Sequence, residues 1–225
     1  MEQDKGEIMK AIQIIVEGIH FRSKLEAKWY LFMKKLGWNI IYEPEIEGLN
    51  GWIPDFLIIG KCHKTLVDVK GIDRDTDWTI SKWDKEKNES IITSKHKDYA
   101  KILKSGIKNL HDYELLILGS NLRLDGGSAM GILYTRAMHY DTNTGKSTKL
   151  NDLYESSETV FSYSEDQIGF MDHEGSWCCR ITGEGGKTYL FRGSDYNDDD
   201  PHYKFIDTCW NEAGTELRWK GKEIK

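Results

Sequence analysis

The chain has 225 residues, 39% hydrophobic and 30% charged, with a formal net charge of −6. That is too much apolar material for general disorder, and no apolar run reaches the roughly 18–20 residues a bilayer-spanning helix needs. Four cysteines (Cys62, Cys178, Cys179 and Cys209) are too few for a disulfide framework. Together with a charged start that lacks an apolar signal segment, they predict a reducing, cytoplasmic setting rather than export.

In chain order, the first predicted element is a helix over Ser23–Leu36. Leu25, Trp29, Phe32 and Leu36 recur at helical spacing, and Gly37 is a stop signal. Trp38–Glu43 reads as a strand ended by Pro44. A turn containing Gly48, Asn50 and Gly51 leads into a strand over Ile53–Ile59, and the short polar connection Gly60–Lys64 leads into Thr65–Lys70. Three closely spaced strands predict an antiparallel meander. A lysine-rich helix is predicted over Ile91–Leu110, followed by an almost wholly apolar strand, Tyr113–Gly119, of the kind covered on both faces.

Beyond Ser120, loops rich in Gly, Asn and Asp separate short strand-like runs at Gly131–Thr135, Val160–Tyr163, Lys187–Phe191 and Glu216–Trp219. The acidic tract Asp195–Asp200 reads as a surface loop. The organisation is therefore α/β: a core over residues 1–120 and a β-rich region over 121–225 that either completes that core or forms an appended lobe.

Charge divides along the same line. Residues 1–110 carry 19 Lys and Arg against 17 Asp and Glu, which leaves 12 against 20 for 111–225, so +2 and −8. From Trp78 to Lys108 the count is 8 Lys against 4 acidic residues. A local basic stripe matters more to a phosphate backbone than the overall charge does. Lys97, Lys101 and Lys104 would share one helical face, and Trp78 and Trp83 flank a lysine-containing stretch where they could stack on bases. A solvated helix face and core anchoring are the plain alternatives for these residues.

The run WIPDFLIIGKCHKTLVDVK, Trp52–Lys70, breaks its hydrophobic pattern in two places. Residues two apart on a strand share a face, so Asp68 and Lys70 lie together and Asp55 shares a face with Leu57 and Ile59. If the two strands pair, two carboxylates and an ammonium converge. Neighbouring carboxylates repel unless a cation sits between them, and Mg²⁺, which favours a few carboxylates plus water and phosphate oxygens, suits that place.

Pro54-Asp55, a spacer, then Asp68-Val69-Lys70 resembles the signature of the PD-(D/E)XK nucleases, the restriction-endonuclease-like superfamily. The order helix, three-strand meander, helix, strand is similar to that family's core, and Phe21–Gly71 resembles versions common in phage-encoded proteins and in nuclease subunits of some transposition systems. The resemblance covers residues 15–120. It implies a metal-dependent endo- or exonuclease acting on DNA in the cytoplasm, the host's if phage-encoded. It also implies Mg²⁺ as cofactor, with Mn²⁺ able to substitute. Asp55, Asp68 and Glu26 would hold the metal, and Lys70 would position water.

Without the resemblance Glu26 has a simpler role, since Ser23-Lys24-Leu25-Glu26 is a capping box. Asp55 could end a turn, and Asp68 with Lys70 could be a surface ion pair. Glu43 reads as a strand-end charge, with an additional metal role as the alternative.

A catalytically silent nuclease-fold module that binds nucleic acid, or a protein through the acidic second half, is the rival reading. Cutting both strands would imply a homodimer. Zinc is disfavoured: Cys178 and Cys179 are adjacent and Cys209 is 30 residues on, unlike the usual ligand spacing, though His173 and His202 lie nearby. GEGGK at Gly183–Lys187 lacks the phosphate-loop spacing. No Ser, Cys and His combination stands out in sequence as a nucleophile with its base.

Overall fold

The computed structural model describes residues 14–71, 81–84, 89–92, 102, 104–122, 129–141, 146–155, 159–164, 167–172, 178–184, 189–190 and 201–220. A short hairpin, β1 (Ile14–Val16) with β2 (Ile19–Phe21), leads into α1 (Lys24–Lys35). Ser23 is extended, and its Oγ accepts from Glu26 N at 3.1 Å, satisfying one orphan amide of the first turn. At the other end Gly37, at φ +74°, closes a Schellman motif. Its N–H donates to Lys34 O, and Trp38 N donates to Met33 O.

The meander follows as β3 (Ile40–Tyr42), β4 (Phe56–Ile59) and β5 (Lys64–Val69), antiparallel throughout, with Phe56 opposite Val67. A separate hairpin pairs β6 (Ser81–Asp84) with β7 (Glu89–Ile92). After a 3₁₀ turn at Ile107–Asn109, β8 (Tyr113–Leu118) runs parallel to β5. The sheet then continues through β9 (Ala129–Asp141), β10 (Lys146–Glu155), β11 (Thr159–Ser164), β12 (Gln167–Asp172) and β13 (Tyr189–Leu190). Its order is β12-β11-β9-β8-β5-β4-β3, with β10 on β9 and β13 on β11. The fold is mixed α/β around one largely antiparallel sheet.

Strand alternation divides the core. Phe56, Ile58, Val67, Leu116 and Leu118 face α1. Leu57, Leu66, Leu115 and Ile117 face the other way, against Ile102 and Ile107. The last helix, α2 (Pro201–Lys220), covers the first face beside α1. There the Trp210 ring meets Trp29 at 4.7 Å and Phe32 at 5.4 Å between centroids. Residues on both sides of position 120 thus share one apolar cluster.

Three expectations need correcting. Glu216–Trp219 is not a strand but the end of α2, where Tyr203, Ile206, Trp210, Ala213 and Leu217 are buried at helical spacing. A four-residue window hides that period, and Pro201 at the first helical position starts it. Ile91 and Ile92 belong to β7 rather than to a helix, as a β-branched pair favours. The predicted helix also stops short of Leu110. Ile102 and Lys104 are helical, and Gly106 at φ +92° then turns the chain. Asp195–Asp200 lies outside the described residues. Among the described residues no helix is long and apolar enough to cross a membrane.

Candidate metal centre

Glu43 N donates to Asp55 O, aligning the start of β4 with the end of β3. One step beyond the Phe56–Val67 pair, Asp55 therefore faces Asp68. Glu43 itself sits at φ +44°, a left-handed backbone that costs a non-glycine residue of order 1 kcal/mol and sends the chain off β3.

Asp55, Asp68 and Glu26 are 4%, 3% and 7% exposed, so all three carboxylates are removed from bulk water. Asp55 Oδ2 accepts from Val69 N at 2.6 Å, which fixes its carboxylate against β5. Lys70 Nζ lies 2.6 Å from Asp68 Oδ2, and Trp52 Nε1 lies 3.4 Å from Asp68 Oδ1. Glu26 Oε2 accepts from the Tyr42 hydroxyl at 2.9 Å. The sequence pattern S-x-x-E is thus used in half: the backbone of Glu26 caps onto Ser23, while its carboxylate points toward the meander. Arg22, Glu26, Trp52, Asp55, Asp68 and Lys70 line a common cavity of about 440 Å³.

Arg22 was not singled out from the sequence. Its Nη2 lies 2.5 Å from Asp55 Oδ1 and its Nε 2.8 Å from Glu43 Oε1, with Glu26 Oε2 at 3.9 Å. The available signal was its position four residues before Glu26 on the edge of the capping box. Tyr42 and Trp52 carried no signal beyond their aromatic character.

Burial is the largest influence on Asp55. Together with the nearby charges of Asp68 and Glu26, it outweighs the Val69 amide and Arg22 and pushes the carboxyl up to about 7. Burial likewise raises Asp68 against the pull of Lys70. For Arg22, burial works downward but the combined charges of Asp55, Glu26 and Glu43 prevail and raise it. Four carboxylates (Glu26, Glu43, Asp55, Asp68) against two cations (Arg22, Lys70) leave an excess of two negative charges when all are ionised.

The donor set is all oxygen, with Asp55 and Asp68 deepest, and it fits a hard divalent cation that keeps several waters. Among the described residues no group of three or more Asp, Glu, His or Cys side chains is placed to hold a metal ion, so the candidate donors reduce to the facing pair Asp55 and Asp68.

The remaining candidates are scattered or undescribed. Lys104 is exposed, whereas Lys97, Lys101 and Trp78 lie outside the described residues. Trp83 sits on β6 opposite Ser90. The cysteines and histidines weighed for zinc are drawn into separate settings. Cys209 is buried on α2, Cys179 Sγ accepts from Thr182 N, and His202 stacks on Tyr163 at 3.7 Å. His173 lies outside the described residues.

No protein-family model, curated protein or solved structure matches the chain.

Proposed function

We propose that this protein is a Mg²⁺-dependent nuclease that hydrolyses phosphodiester bonds in DNA on a restriction-endonuclease-like core. The observation that carries this reading is the meeting of buried Asp55 and Asp68 with Lys70 on one cavity, beside Glu26. Asp55 and Asp68 each have one cation beside them, Arg22 and Lys70, and a divalent ion between the two carboxylates would further offset their mutual repulsion. Asp55 and Asp68 would hold Mg²⁺, with Glu26 assisting. When bound, the ion supplies neutralisation of phosphate charge and acidity to a nearby water. Lys70, partly exposed at the cavity, can donate a hydrogen bond to the attacking water or to the oxygen on which charge develops. Trp52 borders the same space.

The position of Arg22 favours a second reading, a catalytically silent module that binds nucleic acid or a protein partner. Its guanidinium already acts as counter-ion to Asp55, so folding does not require a metal. Cleavage separates the two readings. Linear duplex, single-stranded and four-way-junction DNA are incubated with the protein in Mg²⁺ and in chelator. The nuclease cuts at least one form in Mg²⁺ alone. Binding without cutting of any form would favour the silent module.

A further inference from the structure

Away from the carboxylate cavity, three distant segments build a second polar cluster. A Cβ at Gly60 would overlap the Arg180 carbonyl, so only glycine lets residues 178–184 pack onto the turn between β4 and β5. Lys61 N then donates to Ile181 O at 3.0 Å. This docking places Cys178 Sγ 3.5 Å from His63 Nε2, while His63 Nδ1 lies 3.5 Å from Glu114 Oε2.

Glu114, on β8, is gripped by the fully buried Arg180, whose Nε and Nη2 donate to its two oxygens at 2.8 and 3.2 Å. Arg180 also donates from Nη1 to Cys178 O and from Nη2 to Thr135 Oγ1. Arg180 is therefore satisfied without His63 or the sulfur. Burying the guanidinium does not account for the imidazole standing between thiol and carboxylate. That order is the relation of nucleophile, proton carrier and orienting group. Burial works to lower His63, but its contacts with Cys178 and Glu114 outweigh burial and the facing Arg180, raising it to about 9. The ring thus has a proton to give at neutral pH, on the nitrogen that faces the sulfur.

We propose that Cys178, His63 and Glu114 form a reactive-thiol site that takes hydrogen peroxide. Once deprotonated, the Cys178 sulfur attacks one peroxide oxygen, forming the S–O bond as the O–O bond breaks. The departing hydroxide takes the His63 Nε2 proton and leaves as water. Sulfur is oxidised to sulfenic acid, peroxide is reduced, and the charges of thiolate and imidazolium cancel. This site is independent of the nuclease reading.

Cys62 is the internal standard, being exposed where Cys178 is only partly so. Accessibility alone would make Cys62 react first. The full chain is treated with dilute hydrogen peroxide at neutral pH, sulfenic acid is trapped with dimedone, and each cysteine peptide is followed by mass spectrometry. Cys178 is expected to react about tenfold faster than Cys62 in the folded protein, with the preference lost in urea. His63→Asn is expected to bring Cys178 down toward Cys62 while leaving Cys62 unchanged. A folded wild-type protein in which Cys178 reacts no faster than Cys62 overturns the proposal, as does a preference that survives unfolding. Either comparison on wild-type protein stands even if His63→Asn does not fold.

Discussion

Asp55→Asn is expected to lower Mg²⁺-dependent DNA cleavage by roughly 10³-fold, a loss of several kcal/mol of transition-state stabilisation, without unfolding the protein. The amide keeps an oxygen that can accept from Val69 N, the bond that fixes this side chain to β5. It removes one of two like charges buried in the cavity, and relief of Asp68 offsets the lost ion pair to Arg22. Arg22 is half-exposed and keeps Glu43, so its unpairing costs little. The thermal midpoint in metal-free buffer should therefore move by less than about 1 kcal/mol equivalent. Lys70→Met is expected to lose cleavage as well, at a cost in stability because buried Asp68 loses its paired cation, so cleavage is read on variant protein shown to be folded by circular dichroism. Cutting by both purified variants at the wild-type rate would remove Asp55 and Lys70 from any catalytic role.

The largest effect on stability is expected from Glu114→Ala, at about 3–5 kcal/mol. The substitution leaves the Arg180 guanidinium fully buried with its charge uncompensated. Set against a typical total of about 5–15 kcal/mol, this is enough to bring the protein near unfolding. Urea denaturation reads the loss directly, and a cost below about 1 kcal/mol would show that the pair is not the buried anchor described.

The same cluster sets a pH window. Burial raises Glu114, but His63 and Arg180 more than reverse it and hold the carboxyl at about 2, against an ordinary 4.5. Its contribution is present above pH 4.5 and is lost as pH falls through about 2. His63, held at about 9 against an ordinary 6.5, contributes fully below pH 6.5 and loses that contribution as pH rises through about 9. The two overlap between pH 4.5 and 6.5. Wild-type protein is expected to lose stability from pH 6.5 to 9 in urea titrations, and His63→Asn should flatten that decline. An unaltered slope in that range would exclude His63 as its source.

Much of this arrangement was legible in the sequence because it is local. The cap, apolar period and glycine stop of α1 lie within fifteen residues (23–37), and β3, β4, β5 and β8 are bounded by turn residues. Asp55, Asp68 and Lys70 stood out as polar interruptions of otherwise apolar strands, and the sheet brings them to one cavity. What escaped detection depends on tertiary packing. Cys178 and His63 are 115 positions apart and Arg180 and Glu114 are 66 apart, so only the docking at Gly60 reveals their relation. Arg22 looked like an ordinary residue before a helix cap, since the three acidic partners around it come from α1 and the ends of two strands. The end of α2 was misread because four residues cannot distinguish a period of 3.6 from one of 2.

Calorimetric titration of Mg²⁺ into wild-type protein and into an Asp55→Asn, Asp68→Asn double variant bears most directly on the carboxylate cavity. One saturable site is expected in wild type, weakened at least tenfold, or about 1.4 kcal/mol, in the variant, with Mg²⁺ raising the melting temperature of the wild type alone. Absence of binding to folded wild-type protein, or equal binding by both, would contradict a divalent cation held between Asp55 and Asp68.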